Sequence, residues 1–251
     1  MTTTVTTVTN KSATPLWQNL WGIIDRPAQT FQSILVYPGW WRWGLPLIIF
    51  YLAFATATAV QIPYLQTEAR LQAESQLADL PASQAEAARA TLDFTLSVPF
   101  LAATGLGFGG IILLMGMLAQ TIYFYFAAML AGGADMNFGR MFTVTTWSRL
   151  PLAIGFGVQA TFVLISDGLL RYPGLAAMVA TGDQLADAKN PLLALLARVD
   201  LFWLWHLLLA VIGVAIAAKF GRGKSLALVI IYALLALGMA VAPSLLAMAM
   251  A

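Results

Sequence analysis

Gly132-Gly133-Ala134-Asp135-Met136-Asn137-Phe138-Gly139-Arg140, running on to Trp147-Ser148-Arg149-Leu150-Pro151, is the stretch on which the fold turns. No charged residue lies between Asp93 and Asp135 in front of it, and none between Arg149 and Asp167 behind it. A polar, glycine-rich hinge between two such apolar segments reads as the short turn joining two membrane helices.

Composition points the same way. Sixty per cent of the 251 residues are apolar and only 10% are charged, with a mean hydropathy of +0.81. Soluble domains run near 45–50% apolar and about 25% charged, so the chain belongs in lipid. A net charge of +2, on scattered carriers, does not make a nucleic-acid surface. The absence of cysteine removes disulfides, thiolate metal sites and cysteine nucleophiles. With His206 the only histidine, a histidine-rich metal site is excluded too. No cofactor is expected.

Outward from the hinge, the remaining elements follow in order. Met1–Thr14 is a threonine-rich tail carrying only Lys11, expected to be disordered and without the pattern of a cleavable signal peptide. Between Pro15 and Trp43, Leu16, Leu20, Ile23 and Ile24 recur at helical spacing. Asp25-Arg26-Pro27 breaks that piece, and Pro27 suits the first position of a second short helix carrying Phe31, Ile34 and Leu35. Tyr37-Pro38-Gly39 then leads into Trp40, Trp41, Arg42 and Trp43, an indole belt. Two amphipathic helices lying in the headgroup layer are predicted for 15–43.

The membrane domain, 44–247, is predicted to hold five spans, at about 44–62, 99–130, 151–165, 201–218 and 225–246. Pro63 is expected to close the first. Tyr64–Asp93, with five acidic and two basic residues, reads as a solvated hairpin turning at Leu80-Pro81, with Ser83 and Glu86 matching a capping box. The second span would be roughly 48 Å long as helix, so it must tilt, kink at its glycines or project. Asp167–Val199 is a further segment with short helices starting near Pro173 and Pro191, and Asp200 can cap the fourth span.

With the N-terminus inside, the inner segments hold Lys11, Arg26, Arg42, Arg140, Arg149, Lys219, Arg222 and Lys224, against Asp25 and Asp135. The outer segments hold the other five basic residues against nine acids. Positive residues favour the cytoplasmic side, so an all-α, five-span bundle with N-in/C-out topology is predicted.

Three features invite a chemical reading. Gly105-Leu106-Gly107-Phe108-Gly109-Gly110 fits G-x-G-x-x-G, but the dinucleotide mechanism needs a strand before it and a polar phosphate site. Inside a charge-free span, Gly105 and Gly109 are better read as G-x-x-x-G helix packing. His206 is an ionisable group within a span, beside Trp203 and Trp205. Structural hydrogen bonding is its bland role, and proton or substrate handling its sharper one. Arg140 and Arg149 are positive-inside anchors in the bland reading. In the sharper one Asn137, Arg140, Arg149, Lys219, Arg222 and Lys224 form one cytoplasmic docking face for an acidic partner or lipid phosphates. No nucleophile elbow, zinc helix, P-loop or close carboxylate pair occurs, and no enzyme is expected.

Ile23-Ile24-Asp25-Arg26-Pro27 with Phe31 and Ile34 resembles the opening of prokaryotic members of the Yip domain family, the Yip-one domain named for Ypt/Rab-interacting proteins. Gly132-Gly133 through Phe138, Trp147 and Leu150-Pro151 resembles its central hinge. Asp200-Leu201-Phe202, Trp205, and Gly213 through the basic turn to Lys224 resemble its fourth span and exit. The resemblance implies five spans with a cytoplasmic N-terminus and no catalytic residue. Eukaryotic relatives are adaptors for prenylated Rab GTPases in vesicle transport. This chain carries neither their long cytoplasmic N-terminal region nor their Asp-Leu-Tyr-Gly-Pro-like segment. It is more similar to the bacterial branch, some of whose members assist ABC-type exporters.

The expected function is therefore a non-catalytic adaptor in a prokaryotic cytoplasmic membrane, partnered by another membrane complex such as an ABC-type exporter. A small-solute transporter or channel is the alternative, resting on the glycine-broken second span and His206. A membrane-shaping role, resting on the amphipathic segments, is a third.

Overall fold

The structure, a computed structural model, describes residues 15–37, 39–78 and 80–249. The tail Met1–Thr14, Pro38 and the side chain of Leu16 lie outside the described residues. All regular structure among the described residues is helical.

Two short helices open the fold, α1 (Leu16–Asp25) and α2 (Pro27–Leu35), with Pro27 in the first turn of α2 as its missing N–H favours. Trp17, Trp21 and Ile24 of α1 are exposed, as an interfacial helix requires. The partner helix departs from the headgroup-layer expectation. Phe31, Ile34 and Leu35 are buried in the main core, so α2 is packed against the bundle.

Helix α3 (Trp41–Leu77) also runs past its predicted end, with Pro46 and Pro63 both inside it. Pro63 forfeits one backbone hydrogen bond. The alanine-, glutamine- and leucine-rich run behind it favours helix, and the Thr67 hydroxyl bonds back to the Pro63 carbonyl at 3.0 Å. The chain returns in α4 (Ala82–Thr95), where Pro81 occupies the N-cap with no side-chain cap. Ser83 therefore sits within the first turn, and the anticipated capping box with Glu86 does not form.

The second span is α5 (Val98–Ala102), a π-helical segment (Ala103–Phe108) and α6 (Gly109–Leu130). The glycine run thus appears as a π segment inside a continuous helix. Its glycines face α3: a Cβ on Gly105 would lie 2.8 Å from Thr58, one on Gly109 3.1 Å from Phe54, and one on Gly110 2.7 Å from Tyr51. Helix packing is what these glycines serve.

The hinge proves shorter than predicted. Asn137 caps α7 (Phe138–Ser148), its side chain accepting from the Arg140 amide at 3.1 Å. Helix α8 (Leu150–Ser166) follows almost at once, with Pro151 in its first turn. The polar run Thr143–Ser148 is buried because its hydroxyls bond helical carbonyls: Thr143 to Gly139, Thr146 to Thr143 and Ser148 to Thr145. The third apolar stretch is accordingly Phe138–Ser166.

Beyond it come a 3-10 turn (Ala176–Met178), α9 (Gln184–Ala188) and α10 (Pro191–Arg198). Asp200 caps α11 (Leu201–Ala217), accepting from the Trp203 amide at 2.7 Å. Helix α12 (Arg222–Ala249) completes the described chain, with Pro243 inside it. Among the described residues four stretches are long and apolar enough to cross a membrane, and α10 with α11, bent by 62° at their break, makes the fifth when taken as one span. Only 6% of the apolar window in Val98–Leu130 is buried inside the protein. Side chains such as Ile111, Ile112, Met115 and Leu234 face outward, which water would penalise and lipid does not. This is a multi-pass membrane protein.

The segments 64–93 and 167–199 touch. Arg171 pairs with Glu68 at 2.9 Å, and the Tyr64 hydroxyl donates to Asp167 at 3.3 Å. Within the second segment Asp187 accepts from the Thr181 amide and hydroxyl, the Gly182 amide and the Tyr172 hydroxyl, at 2.7–3.1 Å. The Thr181 amide leads in holding its carboxyl below the ordinary range. A depressed folded value means that this contribution is complete above the unfolded value of about 3.9 and is lost as pH falls through the folded one. Limited proteolysis of 172–190 should be unchanged from pH 7 to 5 and accelerate below about pH 4. Cleavage that is independent of pH throughout would contradict this role.

Candidate functional site

The polar centre of the bundle is a chain of three side chains. Gln120 comes from the apolar middle of α6, Arg149 from the α7–α8 junction and His206 from the second turn of α11. Gln120 and His206 are each 1% exposed and Arg149 7%. Arg149 Nε donates to Gln120 Oε1 at 2.8 Å, and a second guanidinium nitrogen reaches the Gly116 carbonyl at 3.5 Å. Gln120 Nε2 lies 3.1 Å from His206 Nε2, and His206 Nδ1 lies 2.9 Å from the Ser148 carbonyl.

These contacts fix every proton. A carbonyl only accepts, so His206 Nδ1 carries hydrogen and donates to Ser148. In the neutral ring Nε2 then accepts from the Gln120 amide, whose oxygen is left facing Arg149. A second proton on His206 would oppose the Gln120 N–H. Turning the amide to relieve that clash would set its NH2 against Arg149 Nε–H. The neutral imidazole is therefore built in. An amide is also a poor carrier of protons, and the arrangement ties α6, α8 and α11 together. Beside it the Thr121 hydroxyl donates to Thr145 at 2.9 Å, joining α6 to α7.

The six residues anticipated as one docking face divide. Arg149 is buried in the network and its guanidinium bonds Gln120 and Gly116, which corrects the expectation that it belongs to the docking face of the inner turns. Asn137 spends its side-chain oxygen on the α7 cap. The two inner turns do come together. Lys219, at a positive φ of 56°, pairs with Asp135 at 2.5 Å, the Ala134 amide donates to the Ala218 carbonyl at 3.2 Å, and Lys224 Nζ donates to the Ala131 carbonyl at 3.2 Å. The Lys219 ammonium holds the Asp135 carboxyl below its usual range. Arg140 and Arg222 make no ion pair among the described residues, and Arg140 Nε is buried without a partner. Arg42, which sequence reasoning did not single out, belongs with them: a Cβ on Gly139 would lie 2.9 Å from its guanidinium, and its Nε is also unpartnered. Its carbonyl accepts from the indole N–H of the fully buried Trp147 at 2.5 Å.

Against this geometry, a model of the Yip1 domain matches residues 21–245, nearly the whole chain. The chain belongs to the Yip1 domain family. Yip1 domain proteins are membrane-associated, linked to trafficking and not known as enzymes. No curated protein and no solved structure matches the chain. Among the described residues of this Yip1 domain no group of acidic or histidine side chains could hold a metal ion.

Proposed function

We propose that this Yip1 domain protein is a non-catalytic membrane adaptor, docking a second membrane complex through the face made by its inner turns. The observation that carries the reading is the joining of 131–137 to 218–224, which sets Arg140, Arg222 and Lys224, with Arg42 near by, on a surface whose two acids among the described residues, Asp25 and Asp135, are spent on Arg26 and Lys219. Unspent guanidinium groups at a membrane surface suit acidic protein segments. With Arg149 removed from the inner count, seven basic residues still stand against two acids, so this face lies on the cytoplasmic side of an N-in/C-out bundle. The membrane is a prokaryotic cytoplasmic membrane and the partner an ABC-type exporter, as in the bacterial branch that the chain resembles. This reading ranks above a solute path because Gln120, Arg149 and His206 are bonded to one another and Gln120 interrupts a proton route through them.

The test is crosslinking in native membranes followed by affinity purification and mass spectrometry. Arg140→Glu with Arg222→Glu should lower recovery of a reproducible partner about tenfold or more, as expected when opposed charges become like ones, with no change in thermal midpoint. Equal recovery from the variant would remove the docking face.

A further inference from the structure

A second feature of the interior lies on the other side of Arg149. A cavity of about 430 Å³ opens between α8 and α11, within the size range of small-ligand sites. Arg149 lines it, as does Arg198 at the end of α10, and neither forms an ion pair among the described residues. Asp200 is also on its wall, but one carboxylate oxygen is engaged by the α11 cap. The remaining wall is mainly apolar, including Leu113, Leu152, Phe156 and Phe202.

The break between α10 and α11 is held open deliberately. Gly174, at a φ of +62°, lies so close that a Cβ would meet the Val199 carbonyl at 2.8 Å and that of Leu196 at 2.9 Å. The Leu175 amide donates to the same Leu196 carbonyl at 3.1 Å. Broken backbone at membrane depth persists where protein satisfies it or where it lines a cavity, and both conditions are met. Of the cavity's lining side chains Val158, Phe162 and Leu201 are exposed on the apolar exterior, and Arg198 is exposed beside them. An occupant therefore enters from the bilayer.

We propose that this cavity binds a membrane amphiphile with one anionic head group, a phosphate or carboxylate read by Arg149 and Arg198, and an acyl chain laid along the apolar wall. A desolvated guanidinium without a carboxylate partner gains most from such a head group, and the lateral mouth selects a lipid over a water-borne anion.

The full-length protein in phosphatidylcholine vesicles doped with a diazirine-bearing fatty acid provides the test, with adducts mapped by peptide mass spectrometry. Adducts should fall on Gly155–Phe162 and Ala197–Trp203. The matching diazirine fatty alcohol should label these peptides about tenfold less, as should the acid with Arg198→Gln, an exposed side chain whose loss leaves the core intact. Val158→Trp, which fills the mouth while leaving both arginines, should abolish the adducts. Equal labelling by the alcohol would reduce the site to an apolar groove and overturn the proposal. Adducts confined to other helices would overturn it, and so would complete competition by inorganic phosphate. None of these readouts involves a protein partner, so they are separate from the adaptor test.

Discussion

Gln120→Leu is expected to destabilise the bundle by about 3–5 kcal/mol, the largest single effect of any interior polar substitution. The leucine fills similar space and adds apolar area, so a cavity is not the cause. The cost arises because two partners are stranded at once: Arg149 Nε loses the oxygen that neutralises its desolvation, and His206 Nε2 loses its donor. The companion variant Gln120→Leu with Arg149→Met separates this account from simple packing. Removing the charge along with its acceptor should recover most of the loss, leaving the about 1–3 kcal/mol of an unsatisfied imidazole nitrogen. Unfolding midpoints in mild detergent titrated with sodium dodecyl sulfate, followed by near-ultraviolet circular dichroism, measure all three proteins. A loss under about 1 kcal/mol for the single variant, or a double variant worse than the single, would show that Gln120 is not the keystone of the network.

Gln120 is also the instructive omission of the sequence reading. The spans themselves were legible because lipid leaves so few options: an apolar run of sufficient length must be helical, and charge can fall only at its ends. That logic attends to ionisable groups and passes over an uncharged amide. A lone glutamine in the charge-free stretch between Asp93 and Asp135 was nevertheless a visible signal, since any polar side chain at that depth needs a partner. His206 is the other visible signal, and its partners are an amide and a backbone carbonyl, which carry no charge to mark them in the sequence.

The hinge failed for a related reason. Thr143, Thr146 and Ser148 lie in the stretch expected to be a polar turn, yet their hydroxyls bond helical carbonyls, while Thr145 accepts from Thr121 of α6, and all four bury at little cost. Arg149 then looked like an anchor at the end of a loop. One-dimensional spacing could not reveal that the helix begins eleven residues earlier, at Phe138, and carries Arg149 inward. Pro63 misled in the opposite direction, because one lost hydrogen bond is a weak stop against a run of good helix formers. By contrast Pro27 and Asp200 were read correctly, since both act locally through the chain geometry of a helix start.

Phe31→Ala should produce the second large effect, a loss of about 3–5 kcal/mol concentrated at the N-terminal helices. Periodicity alone gives α2 an apolar stripe and assigns it to the lipid surface, where removing a phenyl ring costs little stability. In the bundle that ring is fully buried against α11, at the one place where the backbone allows it: a Cβ on Gly213 would lie 2.6 Å from Val144 and 3.0 Å from the Phe31 ring. Without the ring, α2 should leave the bundle while the spans persist, because their mutual packing and the Gln120 network do not pass through it. Amide exchange over 27–35 should then accelerate far more than exchange in α6 or α11. Gly213→Val, which meets Val144 of α7 as well as the ring, should cost about 1–3 kcal/mol and speed exchange in α7 along with α2. Arg26 and Arg222 line one groove between α2 and α11, so displacing α2 also dismantles part of the cytoplasmic face and should weaken partner recovery without touching any of its charges. Uniform acceleration across all helices would make α2 part of the fold's nucleus. No acceleration at all would return it to the membrane surface, where its sequence first placed it.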